Sequence, residues 1–202
     1  SQCLNLGALL MLVGLYLRYR QVDNDIKTQN IKLNLRWNNV GLTLGVISCL
    51  GVSIVGNFQE SNVIYVHLIG ALMAFGIGNI YFCLQTIISL AYTYANNNRK
   101  IPKWLFYIRV FLSVMVIPML ILVFVFASLA MSNFTGTNAK WWTEEDGGFT
   151  FHLLSTFTEW ILAISQFIYI STFTKEFKWI RFKDVRFQFP DSKTDSVSES
   201  SP

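Results

Sequence analysis

The sequence predicts an all-α, polytopic transmembrane helical bundle with five spans. Three observations carry that prediction: five long apolar runs, a charged fraction of only 14% in 202 residues, and basic side chains concentrated in alternate connections and the tail. A hydrocarbon core of about 30 Å needs roughly 20 apolar residues at about 1.5 Å each, and soluble domains carry about 25% charged residues. Hydrophobic residues make up 52% of the chain and 17 are Phe, a balance that suits lipid as the solvent.

The first run, residues 3–17, is short, and the chain opens on Ser1 without a Met or a basic leader, so further sequence is expected ahead of it. The second run covers residues 40–58. Gly41, Gly45 and Cys49 recur there every four residues, and Gly70, Ala74 and Gly78 do the same in the third run, residues 63–94. Such stripes let helix backbones approach closely, either within one bundle or across a dimer seam. The third run is long enough to tilt or protrude. The fourth, residues 104–131, contains Pro118, where a kink is expected. The fifth is 149–173. Residues 1–190 read as one membrane domain, and the Ser-rich, acidic stretch Asp191–Pro202 cannot repay the entropy of ordering.

Basic residues near membrane ends are retained in the cytosol. Arg18, Arg20, Lys27, Lys32 and Arg36 mark the first connection, Arg99, Lys100 and Lys103 the third, and Lys175, Lys178, Arg181, Lys183, Arg186 and Lys193 the tail. The two opposite connections hold Lys140 alone. The first connection and the C-terminus are therefore expected on the cytosolic side. Tail cations interleave with Phe177, Trp179, Phe182 and Phe187, a pattern suited to anionic phospholipids of the inner leaflet or to plain positive-inside anchoring. The net charge of +4 is explained by topology, and no nucleic acid is expected as a partner.

Glu159 lies near the middle of the fifth run, where an ionised carboxylate costs about 2.5–3.5 kcal/mol even on lenient scales. It is expected to face protein. His152, Ser155, Ala163 and Gln166 share its helical face, and His67, Gly70, Ala74, Gly78 and Gln85 form a matching stripe in the third run. His67, Gln85, His152, Glu159 and Gln166 form a candidate intramembrane polar network, either a static packing device or a group that answers luminal pH.

Asn133-Phe134-Thr135 is a glycosylation tripeptide on the non-cytosolic side, close to the membrane. Trp141 and Trp142 precede an acidic turn, Glu144-Glu145-Asp146-Gly147-Gly148, and read as interface anchors; consecutive carboxylates lack the alternating ligands of a calcium loop. Cys3, Cys49 and Cys83 fall in apolar runs with no disulfide or zinc spacing. Hydrolase, metalloprotease and phosphate-loop motifs are absent, so no catalytic residue, cofactor or metal is nominated.

Asn57-Phe58-Gln59-Glu60, His67 with Gly70-Ala71, Gln85-Thr86-Ile87-Ile88-Ser89, Trp142 with Glu145-Asp146 and Gly148, His152, and Glu159-Trp160 follow one another in a distinctive order. In that order the sequence resembles the Frag1/DRAM/Sfk1 family, and within it the damage-regulated autophagy modulators. The resemblance implies a six-span protein with one span ahead of Ser1, resident in lysosomes or endosomes, which promotes autophagy without a catalytic reaction through protein partners. A plasma-membrane scaffold for phosphoinositide kinases, as in the Sfk1 branch, is the alternative, followed by a lipid-remodelling enzyme or a transporter.

Overall fold

A computed structural model describes residues 1–59, 62–95, 101–137, 141–178 and 180–181. Helices α1 (Gln2–Lys27) and α2 (Leu35–Asn57) come first. The third span is continuous but composite: α3 (Ile64–Ala71), a π-helical turn (Leu72–Ile77) and α4 (Gly78–Thr93). Then follow α5 (Lys103–Asn133), a 3-10 turn at Glu144–Asp146, α6 (Phe149–Ser171) and the short α7 (Thr174–Phe177). Five of these stretches are long and apolar enough to cross a membrane. Their outward faces carry large apolar side chains, among them Phe111, Phe157 and Phe167. So much exposed apolar surface is incompatible with a water-facing exterior. The chain is an integral membrane protein with an all-α fold.

The first span departs furthest from the sequence expectation. The continuous apolar run ends at Leu17, yet the helix runs on to Lys27, with Arg18, Gln21 and Asp25 all buried. Those polar side chains stay helical and inside because each finds partners on other helices. The second helix likewise begins at Leu35, five positions before the expected run, where the side chain of Asn34 accepts from the Arg36 N–H at 2.9 Å and caps the free helix end. α5 passes through Pro118 without a break. The ring leaves the Val114 carbonyl without its usual helical donor.

α1 packs on α2, α2 on the whole third span, α4 on α5, and α5 on α6. The α2 crossing is backbone-close. A Cβ on Gly51 would lie 2.7 Å from the Gly70 carbonyl oxygen and 2.6 Å from Met73 Cβ, so only glycine permits the approach. The π turn sits opposite this crossing, and Ser48 Oγ donates to the Ala74 carbonyl inside it at 3.1 Å. Gly41 faces Gln85 and Leu84, Gly45 faces Leu15, Gly70 faces Ile54, and Gly78 faces Ser48. Both small-residue stripes thus meet neighbours of the same chain.

Where α1 begins and α2 ends, Asn5 and Asn57 exchange side-chain hydrogen bonds at 3.0 and 2.9 Å, and Ser53 donates to Asn5 at 2.8 Å. The core is densest towards the opposite end. Val22, Ile31, Ile88, Tyr92 and Leu105 are buried together there, beside a second group of Leu15, Phe82, Leu112, Tyr169 and Phe173.

Candidate functional site

Three ionisable side chains meet inside that dense end. Glu176 on α7 is 2% exposed, Arg109 on α5 is 0% exposed and Arg18 on α1 is 1% exposed. Arg109 grips the carboxylate with both arms, Nη1 to Oε1 at 2.7 Å and Nη2 to Oε2 at 2.9 Å. Arg18 Nη1 stands 3.6 Å from the same Oε1. A planar guanidinium fits a carboxylate in this two-pronged way, which gives direction as well as strength.

Most of the remaining donors are spent on neighbouring helices. Arg109 Nε donates to Thr172 Oγ1 at 2.8 Å and Nη1 to Ser89 Oγ at 2.7 Å. Arg18 Nε donates to Gln85 Oε1 at 3.2 Å and Nη1 to Gln21 Oε1 at 3.1 Å, while Gln21 Nε2 reaches the Glu176 carbonyl at 3.1 Å. The Phe173 ring lies 5.2 Å from the Arg18 guanidinium and 4.7 Å from that of Arg109, and Tyr92 lies 4.9 Å from Arg18. Buried Asp25 accepts from the Tyr92 hydroxyl at 2.8 Å. A layer deeper, Thr86 is within hydrogen-bond distance of Tyr169 Oη at 2.8 Å and Ser113 Oγ at 2.9 Å.

The cluster ties α1, α4, α5 and α7 into one unit. Burying such charges is costly, and removing one partner of a buried pair costs about 3–5 kcal/mol because the other is left uncompensated. What the arrangement does chemically is hold. Most of its polar atoms are committed to one another, Arg18 Nη2 alone of the guanidinium nitrogens having no acceptor among the described residues, and among those residues no group of three or more His, Cys, Asp or Glu could hold a metal ion.

The sequence-predicted residues are distributed more widely. Gln85 belongs to the ion cluster through Arg18. His67 Nδ1 lies 2.8 Å from the Phe58 carbonyl, at the turn between α2 and α3. His152 stacks on Trp142, with ring centroids 4.6 Å apart and planes 12° from parallel. Glu159 is half-buried on α6, and buried Gln166 on the same helix keeps an Nε2 without an acceptor among the described residues. The two histidines therefore serve two separate local contacts. Asn133 ends α5, its amide folded back onto the Leu129 carbonyl at 2.8 Å. Lys175, Lys178 and Arg181 are exposed, whereas Lys183, Arg186 and the tail 191–202 lie outside the described residues.

Trp142 is half-buried. It packs against Phe134 at 4.5 Å and His152, and its indole N–H donates to the Gly147 carbonyl at 2.8 Å. Trp141 remains exposed. In the same turn, Asp146 accepts from the Thr143 backbone N–H at 2.7 Å and its hydroxyl at 2.8 Å. Those two donors hold the Asp146 carboxyl below the ordinary value of 3.8. Gly148 takes φ of 66° to start α6, with the Ala130 carbonyl where a side chain would be.

Sequence reasoning missed Arg109 and Glu176 and counted Arg18 only as a loop cation. A signal was available: Arg109 stands inside the fourth apolar run, and an intramembrane arginine demands a carboxylate partner at its own depth.

Comparison with known proteins agrees with this architecture. Residues 1–180 match the Frag1/DRAM/Sfk1/Cwh43P N-terminal domain. Human DNA damage-regulated autophagy modulator protein 2 is 33% identical over 183 residues, covering 89% of this chain and 66% of that protein. Modulator of macroautophagy TMEM150B of Xenopus tropicalis is 33% identical over 177 residues, 88% of this chain and 64% of that protein. Mouse DNA damage-regulated autophagy modulator protein 1 is 29% identical over 188 residues, 89% of this chain and 71% of that protein. The chain thus spans slightly less than two thirds of the first two of these relatives. No solved structure matches it. Matched over residues 1–180 and built as an all-α membrane bundle, the chain belongs to the Frag1/DRAM/Sfk1/Cwh43P N-terminal domain family.

Proposed function

We propose that this protein is a non-enzymatic, multispanning regulator of autophagy and lysosomal function, seated in lysosomal or endosomal membranes with its C-terminus in the cytosol. The observation that carries the reading is the naming of its relatives as autophagy modulators and modulators of macroautophagy. The ion cluster supports it. It gathers the later half of α1, the start of α5 and the α7 segment at one end, the end that carries most basic residues, and fixes them in one arrangement. A regulator that works by presenting loops to partners needs such a fixed surface.

The test joins location with effect. A fluorescent tag fused to the full-length protein should mark lysosomes or endosomes, and its removal should lower autophagic flux. Restoration by the wild type and not by Glu176→Gln at equal abundance would place the ion cluster in the activity. Confinement to the cell surface with unchanged flux would overturn the reading. That outcome would favour a scaffold for phosphoinositide kinase signalling, which exposed Lys175, Lys178 and Arg181 also suit. A lipid-remodelling or transport activity would be revealed by loss of lipid conversion or proton-coupled flux in a folded Glu159→Gln variant.

A further inference from the structure

Phe173, the ring shared by both guanidiniums, also lines a cavity of about 290 Å³ between α1, α2, α4 and the α6–α7 corner. Leu10, Gly14 and Leu15 form its α1 wall, Tyr81 its α4 wall, and Phe173 and Phe177 its far side. Gly14 keeps it open: a Cβ there would meet nothing nearer than Phe177 Cε2 at 4.0 Å. The volume is near the lower end of ligand pockets, about 300 Å³. Water gains little in so apolar a space, and an empty one forfeits the dispersion contacts of its walls.

Three features name the occupant. The cavity lies along the membrane-spanning part of α1, α2 and α4, and Leu10 at its edge is 62% exposed, so a hydrocarbon chain can enter sideways from the bilayer. One turn beyond Gly14 on α1 stands Arg18, whose Nη2 is buried without an acceptor among the described residues. On α7, Thr174 and Phe177 line the cavity while the adjoining Lys175 and Lys178 are exposed. The greasy part therefore lies towards the middle of the bundle and the cationic part towards its end, the polarity of a phospholipid in the nearer leaflet. We propose that this cavity binds one acyl chain of an anionic glycerophospholipid, its phosphate directed to the end that carries Arg18, Lys175 and Lys178. The site does not depend on the autophagy reading.

The experiment uses the full chain purified in detergent and a phosphatidylserine bearing a photoreactive group in one acyl chain. Cross-links should concentrate on peptides containing Gly14–Leu15 and Phe173–Phe177, and unlabelled phosphatidylserine should compete better than phosphatidylcholine. Gly14→Leu, which fills the space, should cut labelling by roughly tenfold while the thermal midpoint holds or rises. Lys175→Gln combined with Lys178→Gln should erase the preference for the anionic lipid and keep the tail label. Labelling spread over outward residues such as Phe111 and Phe157 would overturn the site, as would undiminished labelling of Gly14→Leu. Should that variant fail to fold, the wild-type cross-link map decides alone.

Discussion

At one end of the bundle Arg18 and Arg109 enclose Glu176 in a buried network that joins four helices. At the other, Asn5 pairs with Asn57, and Trp142 is stacked on His152 beneath an exposed turn. The first end is held by charge withdrawn from water, where losing any one partner strands another. The second is held by amide hydrogen bonds, the Asp146 capping bonds and ring contacts near solvent, where water can replace a lost polar partner. Stability in this bundle is therefore concentrated where its basic connections gather, while the opposite end can yield one contact at a time.

Substitutions should expose that asymmetry, beginning with the ionic end. Glu176→Gln leaves two buried guanidiniums facing a neutral amide and should cost about 3–5 kcal/mol, read as a large drop in the thermal midpoint of the purified protein. Gly70→Val, in the α2 crossing between the two ends, drives a side chain onto Ile54 and the Val55 backbone and should cost about 1–3 kcal/mol. Asn5→Ala should cost about 1 kcal/mol, with faster hydrogen exchange confined to the start of α1 and the end of α2.

Smaller still are the pH effects of the exposed turn. Asp146 has a folded value below its unfolded one, so the capping contribution is fully present above 3.8 and is lost as pH falls through the lower folded value. Trp142 fluorescence should be steady in mildly acidic solution and change only in strong acid, and Asp146→Asn should remove that change. Because His67 and His152 occupy separate local contacts, replacing both with Gln should leave the pH dependence of conformation between neutrality and mild acidity unaltered. A lost transition there would instead establish a histidine switch.

The spans were legible because lipid imposes a length and a composition that no tertiary contact can override. Residues 63–94 and 104–131 lie almost where Ile64–Thr93 and Lys103–Asn133 are found. The end of α1 was illegible for the converse reason. Hydropathy treats Arg18, Gln21 and Asp25 as exposed, yet their burial is decided by Gln85, Glu176 and Tyr92, residues remote in sequence. Gln85 stands out in the sequence as a polar residue in an apolar run, and its partner is illegible because helical spacing tells which face a residue occupies and not which helix it meets. Nothing local to Trp142 reveals that Phe134 and His152 pack on its ring.

The claim on which the rest depends is that Arg109 and Glu176 act as one buried pair, and a double-mutant cycle addresses it directly. Thermal and denaturant unfolding of Arg109→Gln, Glu176→Gln and the double variant should show the double losing less than the sum of the singles, with a coupling of about 0.5–3 kcal/mol. Losses that add to within about 0.3–0.5 kcal/mol would mean that the two side chains do not interact in the folded protein.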